Sequence, residues 1–203
     1  MIKTMEDKKM DNFILTLDRD ACLDLLASRN VPVHVIEHSL RVAQVGSFLA
    51  THLKKTGHGM DARLIEAGAL LHDITKIEAM EKKEDHAETG GRLLSSLGYQ
   101  AVSEIVRQHV RLDFALDEIN GLTPVHIVNY ADKRVRHTVV VSIFERFEDL
   151  TVRYGTTPER KKKIKMLYEE ALILEKRIFD SLDFSPQRLC ELNNTGIESL
   201  FKQ

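Results

Sequence analysis

The chain has 203 residues, of which 43% are hydrophobic and 30% charged, with a formal net charge of −2. That length suits one well-covered core, and the near balance of charge excludes a global positive field that would draw the chain to nucleic acid or anionic lipid. Two distant cysteines, Cys22 and Cys190, exclude a disulfide framework, and with neither a membrane-length apolar run nor a signal-peptide core in MIKTMEDKKM the chain is expected to be cytoplasmic.

Helix signals then dominate from end to end. Asp18 or Asp20 caps a short amphipathic helix through Leu25 and Leu26 that stops near 28–30. Pro32 suits the first turn of a helix carrying Val35, His38, Val42, Val45 and Leu49 on one stripe, closed by THLKKTGHG. Asp61 caps the next helix, whose apolar run from Leu64 to Leu71 ends in the pair His72–Asp73. After a charged connector at 81–85, the patterns over 86–97 and 101–112 predict two helices separated by LGY. Thr123–Pro124 starts a helix through Asp132. HTVVV is β-branched, yet Ser142 and Glu145 form a capping box, so 138–141 is expected as a short extended lead into a helix through about Arg153. Thr157–Pro158 opens an amphipathic helix with Ile164, Leu167, Ala171, Leu174 and Ile178 on one stripe, and Ser185–Pro186 opens a last short one. No alternating period marks a sheet. The predicted class is all-α: one compact bundle with an N-terminal segment (1–31), a core (32–150) and a C-terminal extension (151–203) that either caps the core or pairs with a second subunit in a homodimer.

Six polar residues fall on the faces these helices should bury. They are His38, His72, Asp73, His86, His109 and Asp132, contributed by five helices. An inward carboxylate without a partner costs several kcal/mol, because its charge loses water. A divalent cation removes that cost by accepting neutral imidazole nitrogens and carboxylate oxygens. Six ligands exceed the needs of a four-coordinate structural zinc and suit two neighbouring metals, with Asp73 the candidate bridge. Two metals so placed activate water and neutralise charge on phosphate esters.

These residues resemble the HD superfamily of metal-dependent phosphohydrolases. The pattern is a lone histidine, His38 in EHSLRV, then the pair His72–Asp73 in LLHDITK, then a distant aspartate, Asp132 in NYADKRV. The superfamily's dinuclear subgroup adds two histidines between the pair and the last aspartate, matched by His86 in DHAETGGRLL and His109 in IVRQH. The resemblance spans about residues 32–150 and is most similar to the branch of bacterial diadenosine tetraphosphate hydrolases. It implies one metal on His38, His72, Asp73 and Asp132 and a second on Asp73, His86 and His109. Histidine-rich ligation disfavours magnesium, so iron or manganese is the first expectation, with nickel, cobalt and zinc as alternatives. The implied activity is cleavage of a phosphoester or phosphoanhydride bond in a small nucleotide-type substrate through a metal-activated hydroxide, with Asp73 and Lys76 catalytic. Two alternatives share the ligand set: a di-iron oxygenase, and a non-catalytic module that senses a nucleotide.

Lys76 could bind a substrate phosphate, donate a proton if desolvation lowers its pKa, or simply pair with a carboxylate. Arg41 and Arg136 are candidate phosphate ligands, with a structural role weighing more for Arg41. Lys133, Arg134, His52, His58 and the run Arg160–Lys163 are expected in solvent. His34, one turn before His38, could touch substrate, with a surface position weighing more, and His126 and His137 are not expected to ligate. Gly90 and Gly91 mark either a close helix approach or a local break. No aromatic interleaving supports nucleic-acid binding.

Overall fold

In the computed structural model, residues 17–113 and 121–201 are described, so the reading of MIKTMEDKKM lies outside them. The helices are α1 (Arg19–Ser28), α2 (Val33–Lys55), α3 (Ala62–Leu71), α4 (Lys76–Lys82), α5 (His86–Ser96), α6 (Gln100–Gln108), α7 (Pro124–Lys133), α8 (Ile143–Tyr154), α9 (Pro158–Phe179) and α10 (Ile197–Leu200), with a 3-10 helix at Pro186–Asn194. The class is all-α, as the periodicity predicts.

Local chemistry starts these helices where the sequence signals them. Asp18 accepts the Ala21 amide and Asp61 the Leu64 amide, each satisfying an orphan donor of a first turn. Ser142 and Glu145 close their capping box, and Thr157 accepts the Arg160 amide. Asp85, read from sequence as connector, accepts the Ala87 and Glu88 amides and so fixes His86 as the first residue of α5. Only 83–85 remains a connector, because α4 takes up 81–82, and α2 likewise runs through Lys55.

α2 lies against α3 and α7, and α3 against α6. Leu40, Val45, Leu49, Leu70, Leu71 and Ile127 are essentially inaccessible between them, each stabilising the fold by about 1.5–3 kcal/mol relative to exposure. Gly68 sets the α3–α6 distance: a Cβ there would lie 2.5 Å from Cγ2 of Ile105. Gly90 does the same for α5 against α6, where a Cβ would meet Val106 Cγ1 at 2.9 Å. α5 is unbroken across 90–91, so close approach explains these glycines.

Two expectations change. The stretch read as an extended lead is half of a minimal hairpin, β1 (Val135–Arg136) antiparallel to β2 (Val139–Val140), with Val135 opposite Val140. His137 takes the left-handed conformation at its turn, φ 56°. Also, α3 stops at Leu71 and does not carry His72–Asp73. There Ile74 N–H donates to Leu71 O and Lys76 N–H to Asp73 O, two tight i to i+3 bonds that turn the chain into α4.

Candidate metal centre

The His72–Asp73 turn is pinned on both sides. His72 Nδ1–H donates to Ala69 O at 2.7 Å, capping a carbonyl at the end of α3. The Thr75 hydroxyl donates to His86 O at 3.0 Å, tying the turn to the start of α5. His109 repeats the first device at the end of α6, with Nδ1–H donating to Val106 O at 2.6 Å. His38, in the middle of α2, donates Nδ1–H to the carbonyl of His137 at 2.8 Å, and the left-handed turn aims that carbonyl.

These three bonds turn the opposite nitrogens toward the cluster. A neutral imidazole that donates from Nδ1 carries a lone pair on Nε2. His38 Nε2 lies 3.1 Å from Asp132 Oδ1, and His72 Nε2 lies 3.7 Å from the same oxygen and 3.4 Å from Asp73 Oδ2. On the other side of the carboxylate, Asp73 Oδ1 lies 3.3 Å from His86 Nε2 and 3.8 Å from His109 Nε2, and those two nitrogens are 3.1 Å apart. Ligand atoms about 2.0–2.2 Å from a common ion sit roughly 2.8–3.6 Å apart at octahedral or tetrahedral angles, so four of these six separations fall within a ligand cage and the other two lie just above it.

The cluster also lacks what a self-sufficient polar network would have. His72 Nε2 and Asp73 Oδ1 are buried with no hydrogen-bond partner, an arrangement that costs about 1–3 kcal/mol per group unless something satisfies it. Burial pushes both carboxyls upward. The histidines outweigh it, His72 and His86 holding Asp73 and His38 and His72 holding Asp132 well below the usual carboxylate range. Burial pushes His109 down to about 3, which keeps its ring neutral. Against burial, the same carboxylates raise the His72 pKa, so a cation would take the place of a proton there; carboxylate oxygens and imidazole nitrogens gathered in this way are the donor set of a divalent cation, and the residues fit one. Two groups converge tightly enough to hold a metal, His38–His72–Asp73 and Asp73–His86–His109, and Asp73 belongs to both. Asp132 joins the first through His38 and His72. All six sequence candidates are therefore brought together.

The residues around them divide. Lys76 Nζ lies 2.6 Å from Asp73 Oδ2. Burial alone would push its pKa down, but the Asp73 carboxylate outweighs burial and raises it, so the condition set for a proton-donating Lys76 is not met. Arg41 is turned away from the cluster: its guanidinium donates to Thr138 O, Gln44 Oε1, Leu192 O and Thr195 O, fastening α2 to the hairpin and the C-terminal segment. Arg136 sits in β1 opposite Val139, outside the lining of the cavity described below.

Lys133 and Arg134, expected in solvent, are buried. Lys133 Nζ donates to Asn129 Oδ1 at 2.7 Å and His109 O at 3.2 Å, and Asn129 Nδ2 donates to Gln108 O at 2.8 Å, so α7 grips the end of α6 where His109 stands. Arg134 donates to Val141 O, to the Tyr130 hydroxyl at 2.6 Å and to Glu175 at 3.1 Å. A single helix's wheel cannot show that neighbours cover its third face. His52 and His58 are half-buried, His52 beside Phe48 and Phe184 with ring centroids 4.2 and 5.0 Å away. His126 accepts the Thr123 amide, and neither it nor the His137 ring joins the cluster.

A cavity of about 760 Å³ opens over the cluster. It is lined by His34 on α2, Arg146 and Arg153 on α8, and Arg160 and Lys163 on α9. His34, Arg160 and Lys163 are exposed, as expected of them, and they border the cavity as well. Arg160 occupies the same helical face as Ile164 and Leu167. No helix of the described residues is long and apolar enough to cross a membrane.

Comparison with known proteins agrees with this geometry. An uncharacterized protein of Methanocaldococcus jannaschii is 28% identical over 149 residues, covering 68% of this chain and 87% of that one. Ribonuclease Y of Fusobacterium nucleatum is 25% identical over 119 residues, 58% of this chain but 22% of the ribonuclease. A tRNA (cytidine(56)-2'-O)-methyltransferase of Picrophilus torridus is 27% identical over 168 residues, 75% of this chain and 46% of the methyltransferase. No solved structure matches. The family profile described as HD domain matches residues 35–183, a span that contains all six cluster residues and runs through α8 and α9, and the chain belongs to the HD domain family.

Proposed function

We propose that the protein is a metal-dependent phosphohydrolase that cleaves a phosphoester or phosphoanhydride bond of a small nucleotide. The observation that carries this reading is the Asp73 carboxylate, whose two oxygens face two separate histidine groups. His38, His72, Asp73 and Asp132 would hold one divalent ion and Asp73, His86 and His109 another, iron or manganese before nickel, cobalt or zinc. When bound, such ions supply electrophilic charge toward phosphoryl oxygens and acidify water.

The chain's own residues prepare that chemistry. The carbonyls of Ala69, Val106 and His137 fix the tautomer and aim of three histidines, so their Nε2 atoms are presented without reorganisation. Lys76, held as a cation beside Asp73, faces the cavity as a counter-charge for a phosphate oxygen. In the reaction a water oxygen bonds to phosphorus, the bond from phosphorus to the leaving oxygen breaks, and that oxygen takes a proton. The cavity volume lies in the range of small-molecule sites.

The test is metal analysis of the purified chain, followed by anaerobic assay of nucleotides and dinucleoside polyphosphates with Mn²⁺ or Fe²⁺. Phosphate or nucleotide release is expected, and Asp73→Ala is expected to lose both metal and turnover. Consumption of dissolved oxygen in its place would reassign the site to an oxygenase. Ligand retention without turnover would reassign it to a sensor. An RNA phosphodiester is the competing substrate, because two of the relatives bear the names of RNA-directed enzymes, and a short RNA belongs in the same screen.

A further inference from the structure

The charge around the cavity is lopsided. Lys76, Lys133, Arg146, Arg153, Arg160 and Lys163 line it, while its only carboxylates among the described residues are Asp73 and Asp132. Lys76 and Lys133 are absorbed by the metal cluster and its supports. The other four are not, and they come from α8 and α9, neither of which carries a cluster residue.

Arg153, Arg160 and Lys163 are exposed and Arg146 is half-buried, yet all four face the cavity. Arg146, Leu150 and Arg153 follow i, i+4, i+7 spacing and share one side of α8, and Arg160, Ile164 and Leu167 share one side of α9. The α9 stripe continues into the core through Ala171, Leu174 and Ile178, so Arg160 occupies a position where the pattern calls for an apolar residue. Two of the acids of α9 are paired away from the cavity, Glu169 with Lys165 and Glu175 with Arg134. Lys163 has no ion-pair partner among the described residues, in a helix where i, i+4 pairing was available to it. The Arg146 side chain is 13% exposed, its Nε is buried with no hydrogen-bond partner, and its one acidic contact, Asp149, is long at 3.4 Å. Arg153 is engaged at Nε by Asp149 at 3.1 Å and Arg160 donates to the Thr156 hydroxyl at 3.0 Å; the donors that remain, beside an apolar floor of Phe147, Leu150, Ile164 and Leu167, describe a surface suited to an anion attached to a less polar body.

We propose that Arg146, Arg153, Arg160 and Lys163 form a second phosphate subsite, so that the substrate is a nucleotide carrying more than one phosphate, one phosphoryl group at the His/Asp cluster and another on this wall. The inference rests on the phosphohydrolase reading for the first of those groups. It makes the cavity selective for nucleoside di- and triphosphates or dinucleoside polyphosphates over monophosphates.

The test uses the full chain loaded with Mn²⁺ and two double variants of equal charge change. Arg160→Gln with Lys163→Gln alters the wall, and Lys162→Gln with Lys165→Gln alters the outer face of the same helix. Binding of a fluorescent N-methylanthraniloyl nucleoside triphosphate and of the matching monophosphate is titrated, and hydrolysis of both is followed. Loss of two charge-assisted contacts should weaken triphosphate binding by about 10- to 100-fold in the wall variant, with a much smaller change for the monophosphate and none in the outer-face variant. Equal losses for the two nucleotides, or equal losses in the two variants, would overturn the subsite. So would a ten-nucleotide RNA that binds more tightly than the triphosphate and loses affinity in the same variant, since the wall would then serve RNA. If the binding pattern holds and neither nucleotide is hydrolysed, the subsite stands and the hydrolase reading falls.

Discussion

Asp73 belongs to both groups of ligating atoms, whereas His86 belongs to one, and this difference makes the two substitutions unequal in a countable way. With metal at about 100 times its dissociation constant, each occupied site stabilises the fold by roughly 2.7 kcal/mol. For a domain of this size a kilocalorie per mole moves the melting temperature by about 2–4 °C, so each site is worth roughly 5–11 °C. The parental chain should therefore melt about 11–22 °C higher in metal than in chelator. His86→Ala, which leaves His38, His72, Asp73 and Asp132 intact, should keep about half of that shift and one ion per chain. Asp73→Ala should keep neither. Each variant is read as its own difference between metal and chelator, which removes any change in the metal-free baseline. Elemental analysis of dialysed protein gives the stoichiometry, and differential scanning calorimetry gives the shift. If His86→Ala still bound two ions, or if Asp73→Ala lost only one, the shared carboxylate would not be a bridge and the paired-site geometry would be wrong.

Other consequences are independent of metal. Arg134→Ala should destabilise the fold by about 3–5 kcal/mol in urea unfolding, because it leaves the Glu175 carboxylate without its cation, with only the Tyr130 hydroxyl as partner, and removes the donors to Val141 O and Pro186 O. Gly68→Ala forces a Cβ against Ile105 Cγ2 and should cost about 1–3 kcal/mol; Ile105→Ala removes the clashing methyl, so the double variant should be less destabilised than the sum of the singles, and simple additivity would reject the contact. Burial raises the Cys22 thiol to about 12 while Cys190 is exposed, so a thiol reagent at neutral pH should modify one cysteine in the native chain and two in denaturant. Because that raised pKa keeps the folded Cys22 protonated above the pH at which the unfolded thiol ionises, its contribution to stability is complete below pH 9 and is lost as pH rises toward 12. Cys22→Ala should flatten the alkaline limb of a stability–pH profile, and an unchanged limb would refute the assignment.

The metal cluster was legible in the sequence for a physical reason. His38, His72, His109 and Asp132 each interrupt an apolar stripe, and a stripe that spends buried positions on ionisable groups signals a partner that the chain itself does not encode. The caps were legible too, since Asp18, Asp61, Ser142 and Thr157 act within three residues of themselves. What escaped was anything decided by a second element. Arg134 and Lys133 look wet on their own helix and are covered by α9 and by the end of α6. Arg41 is consumed by carbonyls about 150 residues away. The hairpin at 135–140 is two residues long in each strand, too short for a period-two pattern to register. The wall of the cavity escapes too, because Arg160 and Lys163 are exposed on their own helix and become part of a wall only where α8 packs beside α9.

The left-handed turn at His137 carries a wider implication. Its carbonyl steers His38, and the same hairpin accepts from Arg41 at Thr138 and exchanges two hydrogen bonds with Asn193 at Val140. The orientation of one candidate metal-binding imidazole is thus mechanically linked to whether the distal tail is docked, some fifty-five positions downstream. Loosening that tail would first be felt as a misaimed ring, well before any helix melted.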